Sequence, residues 1–131
     1  MIADGFEPPR SLVTPDFVLE PLGPEHNEGD YDAWTSSLEH IRATEGFAGR
    51  SWPREMTLEQ NRGDLQRHAD DFAAREGFTY TVLDPETREV IGCVYIYPTS
   101  TRSWVRASRA ELDQPLRDAV GEWLARHWQF A

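Results

Sequence analysis

The feature that most constrains the fold is residues 90–97, the longest apolar run in the chain, rich in β-branched and aromatic side chains. Such a run is typical of a strand buried on both faces of a sheet, and Pro98 ends it. A tight connection, a shorter strand at 103–107 and a loop follow. A helix is then predicted from Asp113 or Gln114, with one apolar stripe along it: Leu116, Ala119, Val120, Trp123, Leu124 and His127. A strand that leads through a loop into a helix N-terminus can present backbone N–H groups to an anion.

The first half of the chain predicts one strand and two helices. Residues 17–22 read as a strand, and apolar residues at helical spacing predict a helix over 29–43. A second helix is predicted to begin at Leu58, because Thr57 and Gln60 form a capping-box pattern just before it.

A hairpin is predicted next. Residues 78–83 alternate as a strand does, and a turn at 84–88 joins them to a strand over 89–97 in an antiparallel pair. The predicted fold class is α/β in the α+β sense. It is a mixed, mainly antiparallel sheet in the order β-α-α-β-β-β-α, truncated after the helix that follows the fourth strand.

Length and composition limit the domain organisation and the partners. At 131 residues the chain predicts a single domain at 16–131, preceded by an extended surface arm at 1–15. The net charge of −10 argues against nucleic acid as a partner. One cysteine excludes an intrachain disulfide, and no metal site is predicted. No run is long enough to cross a membrane and no leader pattern is present, so we expect a cytoplasmic protein without a membrane partner.

Positive charge is concentrated towards the C-terminus. Residues 1–100 hold 8 Arg against 19 acidic residues, whereas residues 101–131 hold 5 Arg against 4. None of the 13 cations is Lys, which excludes a lysine base or a Schiff base. Arg102, Arg106 and Arg109 allow two interpretations: an anion site, or a cationic patch that pairs with the acidic body of the domain.

The order of elements resembles the N-terminal two thirds of the GNAT acyltransferase family, over about residues 16–130. The resemblance is carried by FVLEPL at 17–22, VIGCV at 90–94, and WVR at 104–106 followed by LRDAVGEWL at 116–124. In that family acetyl-CoA lies between the fourth and fifth strands, with its pyrophosphate on the amides of a glycine-containing loop. A bound amine attacks the thioester directly. The resemblance therefore implies an acyl-CoA-dependent N-acyltransferase acting on a small-molecule or peptide amine.

The same resemblance implies an acetyl-CoA site with a degenerate loop. Its cofactor-binding residues would be Trp104, Val105, Arg106, Arg109, Ala110 and Leu112. No glycine stands between Arg102 and Val120, Asp113 is predicted as the helix N-cap, and Pro115 removes one N–H donor. Guanidinium groups can hold phosphate where such a loop does not, so arginines would replace the glycines.

No catalytic residue is assigned by a motif. Candidate bases that would face the wedge are Glu20, Glu39, His40 and Glu89. Cys93, Tyr95 and Tyr97 share one face of their strand, and a Tyr or Cys there could protonate the leaving thiolate. The competing interpretation of these three is core packing, because the strand is the most apolar in the chain.

Two other functions stay open. One is a non-catalytic GNAT-like binding or dimerisation module that has lost acetyl-CoA binding. The other is a GNAT-like enzyme that performs different chemistry on an anionic ligand. The chain ends where a fifth strand would begin, and an open sheet edge is seldom left bare. We therefore expect a homodimer, formed through Trp104, Trp128 and Phe130.

Overall fold

The structure, a computed structural model, describes residues 2–130. The chain forms one antiparallel sheet with the strand order β1-β2-β3-β4-β5. The strands are β1 (Leu12–Val13), β2 (Val18–Pro21), β3 (Phe78–Leu83), β4 (Val90–Tyr97) and β5 (Ser100–Val105). The helices are α1 (Asn27–Thr35), α2 (Leu38–Ala43), α3 (Leu58–Ala73) and α4 (Asp113–His127), and 3-10 segments at Pro24–His26 and Ala107–Leu112 precede α1 and α4. The predicted fold class is confirmed, with one added strand and one added helix.

The centre of the sheet is β4, which pairs with β3 on one side and with β5 on the other. The predicted β3–β4 hairpin is confirmed. Its turn is held by Asp84, whose Oδ1 accepts hydrogen bonds from the backbone N–H groups of Glu86 and Thr87. In the β4–β5 pair, Tyr95 lies opposite Arg102. These two side chains are therefore neighbours on one face of the sheet.

Both faces of the sheet are covered, as the composition of β4 predicts. The face towards α4 and the N-terminal segment buries Val94 and Ile96, while the face towards α1, α2 and α3 carries Cys93 and Tyr95. Leu116, Val120 and Trp123 confirm the predicted apolar stripe of α4, except at its end, where His127 is exposed. The alternation of side chains along β4 thus separates a core on the α4 side from a site on the other side.

The helix predicted over 29–43 is broken in two. Ser37 leaves helical geometry, with φ −134° and ψ 24°, and α2 begins after it. Its hydroxyl oxygen accepts a hydrogen bond from the Ala107 N–H at 2.8 Å. Serine side chains readily exchange helical bonding for local or long-range bonds to backbone, which accounts for the break.

The expected surface arm packs against the domain instead. Ile2 is buried and bridges to Phe130, and β1 pairs with β2. The Tyr80 hydroxyl donates a 2.7 Å hydrogen bond to the Pro9 carbonyl oxygen. The burial of Ile2 and the hydrogen bond from Tyr80 hold the arm against the domain. The proline content of the arm does not predict these contacts.

Two of the aromatic residues expected at a subunit interface lie inside the domain. Trp104 is 0% exposed and Trp128 is 6% exposed. Phe130 is exposed and stacks on Trp128 with ring centroids 5.9 Å apart. Trp104 and Trp128 cannot contribute contact area to a dimer without unpacking the core, so this part of the expectation is wrong.

Candidate functional site

A cleft of about 300 Å³ opens on the face of the sheet that carries α1 and α3. Its walls come from these two helices, the 46–54 loop, β4 and β5. The polar and aromatic groups that define its chemistry are Asp30, Asn61, His68, Tyr95, Tyr97 and Arg102. We refer to it as the helix-face cleft.

Helix α3 supplies one wall of the cleft. Its start is fixed by the predicted capping box: Gln60 N–H donates to Thr57 Oγ1 at 3.0 Å, and Thr57 N–H donates to Gln60 Oε1 at 2.9 Å. Asn61, Leu65 and His68 then line the cleft together, because residues three and four positions apart share a helix face.

Asp30 is a buried carboxyl group in the cleft, 4% exposed, on α1. Asn61 Nδ2 donates to its Oδ2 at 3.0 Å and to Asn27 Oδ1 at 2.8 Å. The Trp34 indole N–H donates to Asn61 Oδ1, which fixes the amide orientation. Burial raises the pKa of Asp30 from 3.8 to about 6, although the Asn61 hydrogen bond lowers it. Perturbed carboxyl groups of this kind in a cleft are candidates for function.

Two further titratable groups face each other beside Asp30. The rings of His68 and Tyr95 meet edge to face with centroids 5.7 Å apart. Burial, and then the Arg67 charge, lower the pKa of His68, so its ring is neutral at neutral pH. The Trp104 indole N–H donates to the Tyr95 hydroxyl oxygen at 3.0 Å. Burial raises the pKa of Tyr95 well above 10, so the phenol stays protonated.

Arg102 is held in the cleft by aromatic rings. Its guanidinium carbon lies 5.4 Å from the centroid of Tyr95 and 5.6 Å from that of Phe47. Its Nε–H is buried and has no hydrogen-bond partner. Arg50, Arg54 and Arg67 also line the cleft, so positive charge gathers here in a protein of net charge −10.

The predicted proton donors separate into two groups. Tyr95 and Tyr97 line the cleft, and Cys93 lies on the same face of β4 within the core. Complete burial raises the pKa of the Cys93 thiol. Cys93 is therefore core, as the competing interpretation of this strand expected.

The predicted bases lie away from the cleft and from one another. Glu20 binds Arg88, and Glu39 is exposed on α2. His40 Nε2 lies 2.6 Å from Asp113 Oδ2, and Glu89 Oε2 lies 3.6 Å from Arg106. The structure does not bring these four side chains together.

The predicted cofactor-binding residues lie on β5 and the segment after it. Trp104 and Val105 are fully buried, Leu112 is buried, and Ala110 is exposed. The Arg106 guanidinium lies 2.8 Å from the Asp32 carboxylate and donates to the Val90 carbonyl oxygen at 3.0 Å.

Arg109 makes similar contacts. It lies 3.3 Å from the Asp84 carboxylate and 3.9 Å from that of Glu89. Arg106 and Arg109 thus pair with the acidic body of the domain, whereas Arg102 points into the cleft. The three arginines do not form one anion site.

Asp113 does not cap α4. The residue before it, Leu112, occupies the N-cap position, and Asp113 lies in the first turn of the helix. Its carboxylate pairs with His40 on α2 instead, which ties the start of α4 to that helix. The predicted N-cap role of Asp113 is wrong, because the 3-10 segment brings the chain into the helix one residue earlier.

Comparisons with known proteins give structural matches only. A scan against protein-family models finds none for this sequence. No curated protein matches it significantly either.

Solved structures match along most of the chain. A protein from Vibrio cholerae described as a ribosomal-protein-serine acetyltransferase has a TM-score of 0.70 at 14% identity, over 88% of this chain and 67% of its own. The ribosomal-protein-S5-alanine acetyltransferase from Vibrio fischeri has 0.67 at 14%, over 87% and 66%. An acetyltransferase from Salmonella typhimurium that modifies the N-terminal serine of ribosomal protein L7/L12 has 0.68 at 12%, over 91% and 69%. The chain has the GNAT acetyltransferase fold. It spans about two thirds of the length of these proteins.

In this GNAT fold, β5 is the fourth strand of the resemblance, and the acetyl-CoA loop would be the Ala107–Leu112 segment. Three amides in and just before this segment are not free for a pyrophosphate. The Ala107 N–H donates to Ser37 Oγ, the Arg106 N–H to the Ile91 carbonyl oxygen at 2.7 Å, and the Arg109 N–H to the Arg106 carbonyl oxygen at 2.9 Å. These amides are already bonded within the protein and cannot also hold phosphate.

Asp30, Asn61 and His68 were not predicted from the sequence. Asn61 and His68 stand seven positions apart on α3, in line with the apolar Leu65. Polar residues inside an apolar stripe were the available signal. Asp30 gives no signal of its own, because its burial depends on how α1 packs against α3.

Neither metal nor membrane contact gains support from the described chain. Within residues 2–130, no three His, Cys, Asp or Glu side chains lie close enough to hold a metal ion. None of the helices in that range has the length and apolarity needed to cross a membrane.

Proposed function

We propose that this chain is a GNAT-fold domain that binds a small molecule in the helix-face cleft and does not bind acetyl-CoA at the β5–α4 connection. One observation carries the proposal: Arg106, Arg109 and the Ala107 N–H, which a pyrophosphate would need, are all bound to other groups of the domain. This is the non-catalytic binding alternative that the sequence left open.

The energetics oppose a phosphate at the connection. Arg106 would have to leave Asp32 and the Val90 carbonyl oxygen, and its side chain is only 12% exposed. Asp32, Asp84 and Glu89 would remain nearby, and each would repel a phosphate by about 1 kcal/mol under partly screened conditions. Breaking these pairs and accepting that repulsion would cancel much of the gain from phosphate contacts.

The helix-face cleft has the features of a ligand site. It is concave, it has aromatic walls at Phe47, Trp52 and Tyr95, and it holds a small number of polar groups. Those polar groups include Asp30, whose carboxyl pKa is perturbed by burial. The cleft therefore supports binding independently of the β5–α4 connection.

Titration calorimetry with acetyl-CoA tests the loss of the phosphate site. We expect no saturable heat at millimolar acetyl-CoA. Saturable micromolar binding that weakens with salt and in Arg106→Ala and Arg109→Ala would contradict the proposal. Arg126→Ala is the matched control, because Arg126 pairs on the surface of α4 with Glu122, away from the connection.

A second candidate function is N-acyl transfer to a peptide amine, which the GNAT fold and Asp30 together favour. A carboxyl group with a pKa of about 6 is ionised at pH 8 and can accept the proton of a bound ammonium group. One of the similar proteins described above modifies the N-terminal serine of ribosomal protein L7/L12. We therefore take a synthetic peptide with an N-terminal serine as the acceptor to test.

This candidate predicts acetyl-CoA-dependent acetylation of that peptide at pH 8. Asp30→Asn should abolish the activity, and Glu39→Gln, an exposed change on α2, should leave it intact. Mass spectrometry of the peptide measures the product. An absence of product with the wild-type chain would leave the binding function as the only one supported.

A further inference from the structure

Two opposite charges in the helix-face cleft are not neutralised by the domain. Within residues 2–130, the Asp30 carboxylate has one hydrogen bond, from Asn61. Arg102 has no carboxylate oxygen within 4.0 Å, and its buried Nε–H has no partner. Both side chains line the same cavity, yet they are not paired with each other.

A buried carboxylate with a single hydrogen bond is costly, and Arg102 keeps a buried N–H without a hydrogen-bond partner in the same cavity. A ligand that carries a cation and an anion would compensate both. Its cationic group would lie against Asp30, and its anionic group would accept hydrogen bonds from the Arg102 guanidinium.

The other charges of the cleft set the direction of such a ligand. Arg67 is paired with Asp64 at 2.9 Å, so these two largely cancel. Arg50 and Arg54 line the cleft and bond only to backbone carbonyl oxygens among the described residues. They add positive potential on the side of the 46–54 loop, which favours an anionic end there.

The remaining walls are aromatic. Phe47, Trp52 and Tyr95 form a triangle, with ring centroids 5.9 Å (Phe47–Trp52), 6.4 Å (Trp52–Tyr95) and 6.1 Å (Phe47–Tyr95) apart. These rings offer an apolar surface for an aromatic body beside the two charged groups. A cavity of about 300 Å³ is at the small end of ligand pockets, which suits a ligand of about the size of a single amino acid.

We propose that the helix-face cleft binds a small aromatic amino carboxylate, with its amine at Asp30 and its carboxylate at Arg102. The proposal rests on the proposed function, because it names the ligand class of the same cleft. It does not depend on the state of the β5–α4 connection.

Calorimetry with three related probes tests each end of the ligand separately. L-Phenylalanine carries both charges, 3-phenylpropanoate carries the carboxylate alone, and phenethylamine carries the amine alone. We expect L-phenylalanine to bind most tightly. Arg102→Gln should weaken the binding of L-phenylalanine and of 3-phenylpropanoate by about tenfold or more. The affinity for phenethylamine should not change. Asp30→Asn should weaken the binding of L-phenylalanine and of phenethylamine by a similar factor. The affinity for 3-phenylpropanoate should not change.

Two further variants keep the test decisive. Arg62→Gln removes an exposed arginine of α3 outside the cleft and should change no affinity. Arg102→Lys keeps the charge and should retain more carboxylate binding than Arg102→Gln, which separates recognition from a loss of packing. Thermal melting of each variant confirms that it is folded.

The proposal is overturned if L-phenylalanine does not bind at 10 mM (about the weakest affinity of interest), or if its affinity is the same in Arg102→Gln and Asp30→Asn as in the wild-type chain. Either result would leave the loss of the acetyl-CoA site untouched, because that claim is measured by acetyl-CoA titration. If acetyl-CoA binds and the variants still change L-phenylalanine binding as expected, only the claim that the acetyl-CoA site is lost is overturned.

Discussion

Gly92→Ala is expected to destabilise the fold by about 3 kcal/mol or more, at the upper end of overpacking effects. Gly92 lies in β4 opposite Val105, and a Cβ there would come within 2.1 Å of the Trp104 carbonyl oxygen and 3.0 Å of the Val105 Cα. These are backbone atoms, so no side-chain rotation relieves the contact and β4 must move away from β5. Urea denaturation gives the free energy of unfolding.

Gly63→Ala is the matched control for this substitution. Gly63 lies within α3, and a Cβ there would meet no atom within 4 Å. The alanine should stabilise the chain by roughly 0.5–1 kcal/mol, because glycine loses more backbone entropy in a helix. A Gly92→Ala protein within about 1 kcal/mol of wild type would show that β4 and β5 are not packed as described.

Asp30→Asn is expected to stabilise the chain at pH 8 by up to about 3 kcal/mol, since one pKa unit corresponds to about 1.36 kcal/mol. The carboxyl pKa is raised from 3.8 to about 6 in the folded state. The stabilising effect of the protonated group is therefore complete below pH 3.8 and is lost as the pH rises through about 6. Asparagine keeps an acceptor for Asn61 and carries no charge to desolvate.

The test is the difference in unfolding free energy between Asp30→Asn and wild type at pH 4 and pH 8. The difference should be small at pH 4 and favour the variant at pH 8. Glu86→Gln, an exposed change in the β3–β4 turn, should alter stability by less than about 0.5 kcal/mol at either pH. A difference that does not change with pH would mean that Asp30 is not desolvated by the cleft.

The elements that the sequence predicts well are those with local causes. The apolar run of β4, the Asp84 turn and the Thr57–Gln60 capping box depend on neighbouring residues only. Each of them forms as predicted, because its hydrogen bonds and its pattern of burial are set within a few positions of the chain.

Features that depend on distant contacts could not be predicted. Ser37 breaks the first helix by accepting a bond from Ala107, seventy positions away. Glycine is the usual residue at a left-handed helix stop, but after α3 it is Arg75 that takes this conformation, with φ 62°. Gly77 instead leaves room for the Tyr97 ring, which a Cβ would approach to 2.5 Å.

Only some residues of the candidate site could be predicted from the sequence. Tyr95 and Tyr97 were named as proton donors and Arg102 as part of an anion site, but for an acetyl-CoA site at the β5–α4 connection. The partners of Arg106 and Arg109 come from the turn and loop regions around Asp84 and Glu89 and from α1, and charge counting does not reveal such pairs. Asp30 and His68 meet in the cleft only because α1 and α3 cover the same face of the sheet.

The central claim is that ligands bind in the helix-face cleft and not at the β5–α4 connection. Amide chemical shifts of the ¹⁵N-labelled chain test it most directly, with L-phenylalanine and acetyl-CoA added in separate titrations. We expect saturable shifts at Asp30, His68 and Arg102 with L-phenylalanine, and none at 106–113 with acetyl-CoA. The claim would be contradicted by saturable shifts at 106–113 with acetyl-CoA, together with unchanged amide shifts of the cleft residues in both titrations.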